Sequence, residues 1–473
     1  MSRGELSTSL PAYQPVNHDF LAINVKVMYL VGQWNGYWQD KRNWRYSAYL
    51  GYAVFMILVM TVHFISEVLE LYVSWGDFTN FASTAWFANN YGATIIKQVF
   101  ILAQADRIQS VTQRLRGGVL SSGLRWSKEQ DEIARNTNRK TRFLSIAYYA
   151  IAVSSCTGLI VISLRTSYRQ LSGAANLTEV GADTMELPLR AWFPVDMQNP
   201  QNFLLLFGFQ LFIVAAGPMI NIGTDTFITG LIIHACGEFR VLKKSLRNLK
   251  QRARQLLQED TGCRKTTSNC KISLSSVAVP ESTNHTDNHF KRAKFCPEAT
   301  EPAHENGFLN AKADVDSKVH KALVECVRHH QQLLLFVSDL EDMFSSMMFF
   351  QFLSISLRIC LIIFHITMSD DEGLVQLTYL QILCVSFLQG LPFCWYGSDL
   401  TYQSECVARA MYETPWLEGP LKFRRSLTII VTRAQAPLRL TGGKIYVMSL
   451  ETFQAMIYAS FSFFKLLQQL SVS

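Results

Sequence analysis

The chain has 473 residues, of which 49% are hydrophobic and only 17% charged, with a formal net charge of +7. A water-soluble chain of this length carries more charge, whereas here the apolar residues gather into runs of about 20, enough to span a bilayer as a helix. No run combines a carboxylate pair, a metal constellation or a nucleophile with a base, so neither an enzyme nor a cofactor or metal site is expected, and no nucleic-acid partner is implied.

The first twenty residues contain no apolar core segment, so no cleavable signal peptide is expected and insertion starts at the first internal span. Ser47–Ser66 is free of Lys, Arg, Asp and Glu and makes that span. Phe78–Gln104 is a more polar second span; its Asn89, Asn90 and Lys97 should face other helices rather than lipid. Phe143–Leu164 and Phe203–Thr224 are the third and fourth, the latter continuing past Asp225 toward Cys236. Phe344–Met368, interrupted by Arg358, is the fifth, the uncharged Gly373–Ser398 the sixth, and Tyr446–Leu470, with Glu451 and Lys465, the seventh. The ten cysteines fall within spans or in connections assigned to the cytoplasm, so no extracellular disulfide framework is expected. The expected fold is therefore all-α with seven transmembrane helices.

Basic residues set the orientation. The amino-terminal segment and the 105–142, 236–341 and 399–444 connections carry 38 Lys and Arg, against three (Arg165, Arg169 and Arg190) on the opposite side. This places the amino terminus in the cytoplasm and the carboxy terminus outside, inverted relative to G-protein-coupled receptors. Asn176, in an Asn-Leu-Thr sequon, lies on the outer side and is a candidate glycosylation site, whereas the sequon at Asn284 falls inside.

The chain divides into a cytoplasmic segment 1–46, spans one to four with the extension of span four over 47–258, a polar and disordered insert 259–316, an amphipathic helix with spans five and six over 317–398, a cytoplasmic helical region 399–445, and span seven with a short outer tail over 446–473. Phe239–Leu257 has basic residues and leucines at helical spacing. It reads first as the cytoplasmic extension of span four, its basic side near lipid phosphates, and second as a weak calmodulin-type target. In span seven Tyr458, Ser462, Leu466 and Gln469 share one helical face, which Leu470 joins; a polar stripe broken by leucine suits a water path with a hydrophobic constriction.

Several segments, taken in order, carry a resemblance. Tyr402-Gln403-Ser404-Glu405 is followed by Ala408, Ala410, Tyr412 and Trp416. Then come Arg433-Ala434-Gln435-Ala436-Pro437-Leu438-Arg439-Leu440, Gly443-Lys444, Ser449-Leu450-Glu451-Thr452-Phe453, and Ser460 to Leu467. Upstream, Leu187 to Asp196 precedes span four in the same manner. The chain thereby resembles the insect odorant receptors, and its last span looks like that of a ligand-tuned subunit rather than the shared co-receptor. The resemblance implies a ligand-gated, non-selective cation channel in the plasma membrane of olfactory sensory neurons, a tetramer built with the co-receptor. Span seven would surround the pore, with Leu466 and Leu470 at the gate and Gln469 beside them. It implies a small, volatile, mostly apolar ligand held among spans two, three, four and six. Depth and helical spacing select Phe87, Asn90 and Tyr91 in span two, Ser154, Thr157 and Val161 in span three, Phe207 and Gln210 in span four, and Tyr379 and Ile382 in span six. A gustatory-type receptor channel working without the co-receptor is the nearest alternative.

The charge count makes a direct prediction. An epitope placed after Ser473 will react with antibody on unpermeabilised cells and one placed before Met1 will not; the reverse pattern would sink the inverted topology.

Overall fold

The computed structural model describes residues 21–36, 41–76, 78–116, 126–173, 187–195, 199–260, 303–369, 373–414 and 416–472. Both sequons lie outside them. In chain order the helices are α1 (Ala22–Leu30), α2 (Trp44–Val73), α3 (Phe78–Ala103), α4 (Ala105–Arg116), α5 (Lys128–Gly173), α6 (Pro200–Arg247), α7 (Leu249–Asp260), α8 (Ala303–Met368), α9 (Leu374–Tyr412) and α10 (Leu421–Ala434). A small antiparallel hairpin, β1 (Thr441–Gly442) and β2 (Tyr446–Val447), leads into α11 (Leu450–Val472).

The seven expected spans map onto α2, α3, α5, α6, α8, α9 and α11. Five of these (α2, α5, α6, α8 and α9) contain a stretch long and apolar enough to cross a membrane unaided. Helices α3 and α11 are not among them, because amides and a lysine interrupt each. The ends differ from the sequence reading in three places. Tyr446 pairs in the hairpin, so the last helix starts at Leu450. Helix α8 begins at Ala303, within the segment expected to be disordered. Finally, α1 was not foreseen; its short apolar run seats Leu21 and Met28, both fully buried, and the chain beyond it reaches α6 through Gln33 Nε2 donating to Thr224 Oγ1 at 2.9 Å.

Local chemistry accounts for the ends. Asn43 and Asn199 cap α2 and α6, their side chains accepting from the backbone N–H of Arg45 at 3.1 Å and Gln201 at 3.0 Å, and Pro200 opens α6 where its missing N–H costs nothing. Helix α6 is the axis of the fold. Its residues from Ile220 to Phe239 are buried on every side, the polar Asn221, Asp225 and His234 among them. By contrast, α2 displays Phe55, Leu58, Val62 and Ile65 along one uncovered face, fitted to lipid chains.

One end of the bundle is prolonged by the second half of α6, α7, the first half of α8, the end of α9 and α10. These helices share a core that includes Phe239, Leu246, Leu323, Phe336, Val407 and Leu427. The basic residues of Phe239–Leu257 do not face outward as a free stripe. Arg240 pairs with Asp399 at 2.6 Å, Lys244 with Glu129 at 2.7 Å, Arg247 with Glu413 at 2.5 Å and Arg252 with Glu325 at 3.3 Å, while the leucines are in the core. A calmodulin-type partner would have to displace all of these contacts. The helical region expected over 399–445 consists of the end of α9, which stops at Tyr412, a turn at Trp416–Glu418 and α10.

The hairpin fastens the base of α11 to α8 and α9. Gly443, at φ 63°, turns so that its N–H donates to the Ser345 carbonyl at 2.8 Å, and the Thr441 N–H donates to Glu341 Oε2 at 2.7 Å. Lys444 Nζ lies 3.0 Å from Glu341, a contact that holds its ammonium pKa above the ordinary lysine value. On α9, Gly397 permits direct apposition of backbones: a Cβ built there would lie 2.4 Å from the Met448 carbonyl oxygen. Replacing Gly397 with Ala should therefore destabilise the protein by about 1–3 kcal/mol, as overpacking does elsewhere. It should lower both the melting temperature of the purified protein and its surface density; wild-type melting would show that the two backbones do not meet so closely.

Candidate functional site

A cavity opens between α3, α5, α6, α8 and α9. Its volume is about 80 Å³. Helix α3 contributes Trp86, Phe87, Asn90 and Tyr91, and α5 contributes Ala152, Ser155, Cys156 and Leu159. Val214, Pro218, Asn221 and Ile222 come from α6, Arg358 from α8, and Ile382, Val385, Ser386 and Gln389 from α9. The wall is mainly aromatic and aliphatic with a few polar groups, as small-molecule sites are. Gly217 makes room for it, since a Cβ there would come within 2.6 Å of the Tyr91 ring.

Of the ten residues singled out from the sequence, Phe87, Asn90, Tyr91 and Ile382 line this cavity. Ser154, Thr157 and Val161 do not. They lie on the outward side of α5, where Ser154 accepts from Gln381 Nε2 at 2.7 Å and Thr157 bonds back to the Val153 carbonyl. A helix turns about 100° per residue, so a choice one position off in phase swaps the inner face for the outer. Phe207 is buried beside Phe203, away from the cavity. Gln210 is fully buried in another role: its amide accepts from the Leu189 N–H at 2.8 Å and donates to the Leu189 carbonyl at 2.9 Å, pinning the chain that leads to α6. Tyr379 packs edge-on to His365 and Trp86, just behind the wall.

The polar side of the cavity is a network of side chains from four helices. Lys97 Nζ sits 2.6 Å from Asp225 Oδ1 and also donates to Asn221 Oδ1. Asn221 Nδ2 donates to Asn90 Oδ1 at 3.1 Å, and Arg358 Nη1 donates to the same oxygen at 2.6 Å. Arg358 Nη2 donates to Gln389 Oε1, and Gln389 Nε2 closes the circuit by donating to Asp225 Oδ2 at 3.3 Å. Lys97, Asn221, Asp225, Arg358 and Gln389 are all 2–4% exposed. Sequence reasoning placed Lys97 and Asn90 against other helices and noted Arg358 as an interruption, but did not join them to Asp225. The usable signal was that a charge inside a span requires a partner.

The candidate pore stripe lies elsewhere. On α11, Met456, Ser460 and Phe464 pack inward, whereas Tyr458, Ser462, Leu466, Gln469 and Leu470 all lie on the uncovered side. Lys465 lies over the Phe461 and Phe464 rings at 5.6 and 5.4 Å.

The sequence profile of the 7tm Odorant receptor family matches residues 77–461. The chain belongs to the odorant receptor family. The receptor is 20% identical to Odorant receptor 10 of Aedes albopictus over 91% of its own length and 96% of that protein's. It is 27% identical to Putative odorant receptor 85e of Drosophila melanogaster over 60% of its own length and 59% of that chain, and 21% identical to the Odorant receptor coreceptor of Anopheles gambiae over 68% and 74%. Its fold matches the insect olfactory receptor OR5 of Machilis hrabei in complex with eugenol. The TM-score is 0.68 at 11% identity, covering 95% of this receptor and 98% of that one. The receptor is thus a membrane-spanning helical protein of an olfactory receptor family, not of an enzyme family.

The network predicts strong coupling. Lys97→Met and Asp225→Asn should each destabilise the receptor by about 3–5 kcal/mol, because each strands a buried charge. The double variant should recover a large part of that loss. A double-mutant cycle on melting temperature checks this, and strictly additive losses would mean that the two charges do not depend on each other.

Proposed function

We propose that this receptor is the ligand-tuned subunit of an odorant-gated, non-selective cation channel. It works with the odorant co-receptor in a heterotetramer, in the plasma membrane of olfactory sensory neurons, with the amino terminus inside. The observation that carries this reading is the cavity between α3, α5, α6, α8 and α9 in a chain of the odorant receptor family. Its mostly apolar wall suits a small volatile molecule. The fold relative from Machilis hrabei was solved in complex with eugenol, which makes a small molecule the natural occupant here as well.

The uncovered face of α11 supports the pore half of the proposal. Tyr458, Ser462, Leu466, Gln469 and Leu470 are exposed among the described residues of one chain, and polar groups on a membrane helix require protein or water beside them. Four such faces around an axis would give them both. Tyr412, Leu417 and Ile429 are exposed at the prolonged end of the bundle, where subunits could meet. The sequon at Asn176 stands as a candidate glycosylation site on the outer side.

Expression with and without the co-receptor tests the reading. Odour-evoked current is expected only with it, and Ile382→Trp, which fills the cavity, should abolish or strongly reduce that current at normal surface density. Equally large currents without the co-receptor would favour the gustatory-type alternative, and currents unaffected by Ile382→Trp would place the ligand elsewhere.

A further inference from the structure

We infer that the cavity takes a small monocarboxylic acid with an apolar tail, bound as the carboxylate against Arg358; this rests on the cavity being the odorant site. Charge balance is the first argument. Asp225 is the only carboxylate in the network and it is taken by Lys97 at 2.6 Å. Arg358 is held only by neutral amides, those of Asn90 and Gln389, and reaches Asp225 no nearer than through Gln389. A guanidinium stays ionised, so a charge without a carboxylate partner stands in the wall of an intramembrane cavity, an arrangement that favours an anion beside it.

Unused donors are the second and independent argument. Among the described residues that line the cavity, two buried side-chain polar atoms have no hydrogen-bond partner, Arg358 Nε and Trp86 Nε1, and both can only donate. Arg358 is 4% exposed and Trp86 3%, so bulk water does not satisfy them. The hydroxyls of Ser155 and Ser386 already donate to carbonyls of their own helices. A guanidinium in the wall with N–H groups to spare complements a ligand that accepts, and its positive charge favours a carboxylate over an alcohol, an ester or an amine. The remaining wall, with Phe87, Leu159, Val214 and Ile382, is apolar, which sets the tail.

The test uses cells expressing the receptor with the co-receptor and matched probes: straight-chain acids of four to eight carbons (about the span such a cavity admits), phenylacetic acid, and the methyl ester and alcohol of each. At least one acid should activate with an EC50 about tenfold below that of its ester, equivalent to about 1.4 kcal/mol. Arg358→Gln should collapse the acid-to-ester ratio by about tenfold. Asn90→Asp should do the same while keeping the arginine, because it sets a permanent carboxylate at the Nη1 position that Asn90 Oδ1 now holds at 2.6 Å. Esters or alcohols as potent as their acids, no active acid, or a ratio unmoved in both variants at normal surface density would overturn the proposal. If the acid preference is absent but Ile382→Trp still silences the neutral ligands, the acid assignment alone fails. If responses of every kind survive Ile382→Trp, the cavity reading fails with it.

Discussion

The fold depends on how charge is housed inside an apolar bundle. Lys97, Asp225 and Arg358 come from three helices, and the amides of Asn90, Asn221 and Gln389 connect them across a fourth. No one of these helices can place its polar group in lipid, so each is held in rotation and depth by the others. Helix α6 occupies the centre because it carries both Asp225 and Asn221 and is buried all round from Ile220 to Phe239. The cavity exists where this polar network meets the aromatic wall of α3. Its shape and its charge therefore have a common origin.

Much of the architecture was legible in the sequence. Apolar runs marked seven helices, and the lone charges within them marked the faces that must turn inward. Helix ends were less legible. Tyr446 looked like the start of a span because it continues an apolar run, but the positive φ of Gly443 and Lys444 bends the chain into a hairpin first. Helix α1 escaped notice because nine residues with little periodicity give a weak local signal, and tertiary contacts, such as the packing of Leu21 and Met28 and the Tyr49 hydroxyl on the Tyr29 carbonyl, stabilise them.

The candidate site was half legible, for a geometric reason. Spacing gives the period of a helical face and not its phase. On α3 the polar residues Asn90 and Lys97 fixed the phase, and the chosen residues line the cavity. On α5 no charge fixed it, and Ser154, Thr157 and Val161 fell on the outer side while Ser155, Cys156 and Leu159 took the inner one. Gln210 shows the opposite limit: a buried amide in a span has two explanations, and only the position of Leu189 chooses a loop clamp over a ligand contact.

The pairing of Lys97 with Asp225 also bears on how the receptor is made. The ribosome delivers α3 long before α6, and α3 is not among the helices long and apolar enough by composition to cross a membrane unaided. Its ammonium must wait for a carboxylate more than a hundred residues downstream, and the guanidinium of α8 arrives later still. Insertion of this chain cannot then be a simple succession of independent helices. The early spans must remain together, sheltered by the insertion machinery or by one another, until α6 is synthesised. A lesion at Asp225 would thus strike during biogenesis, before any ligand could be met.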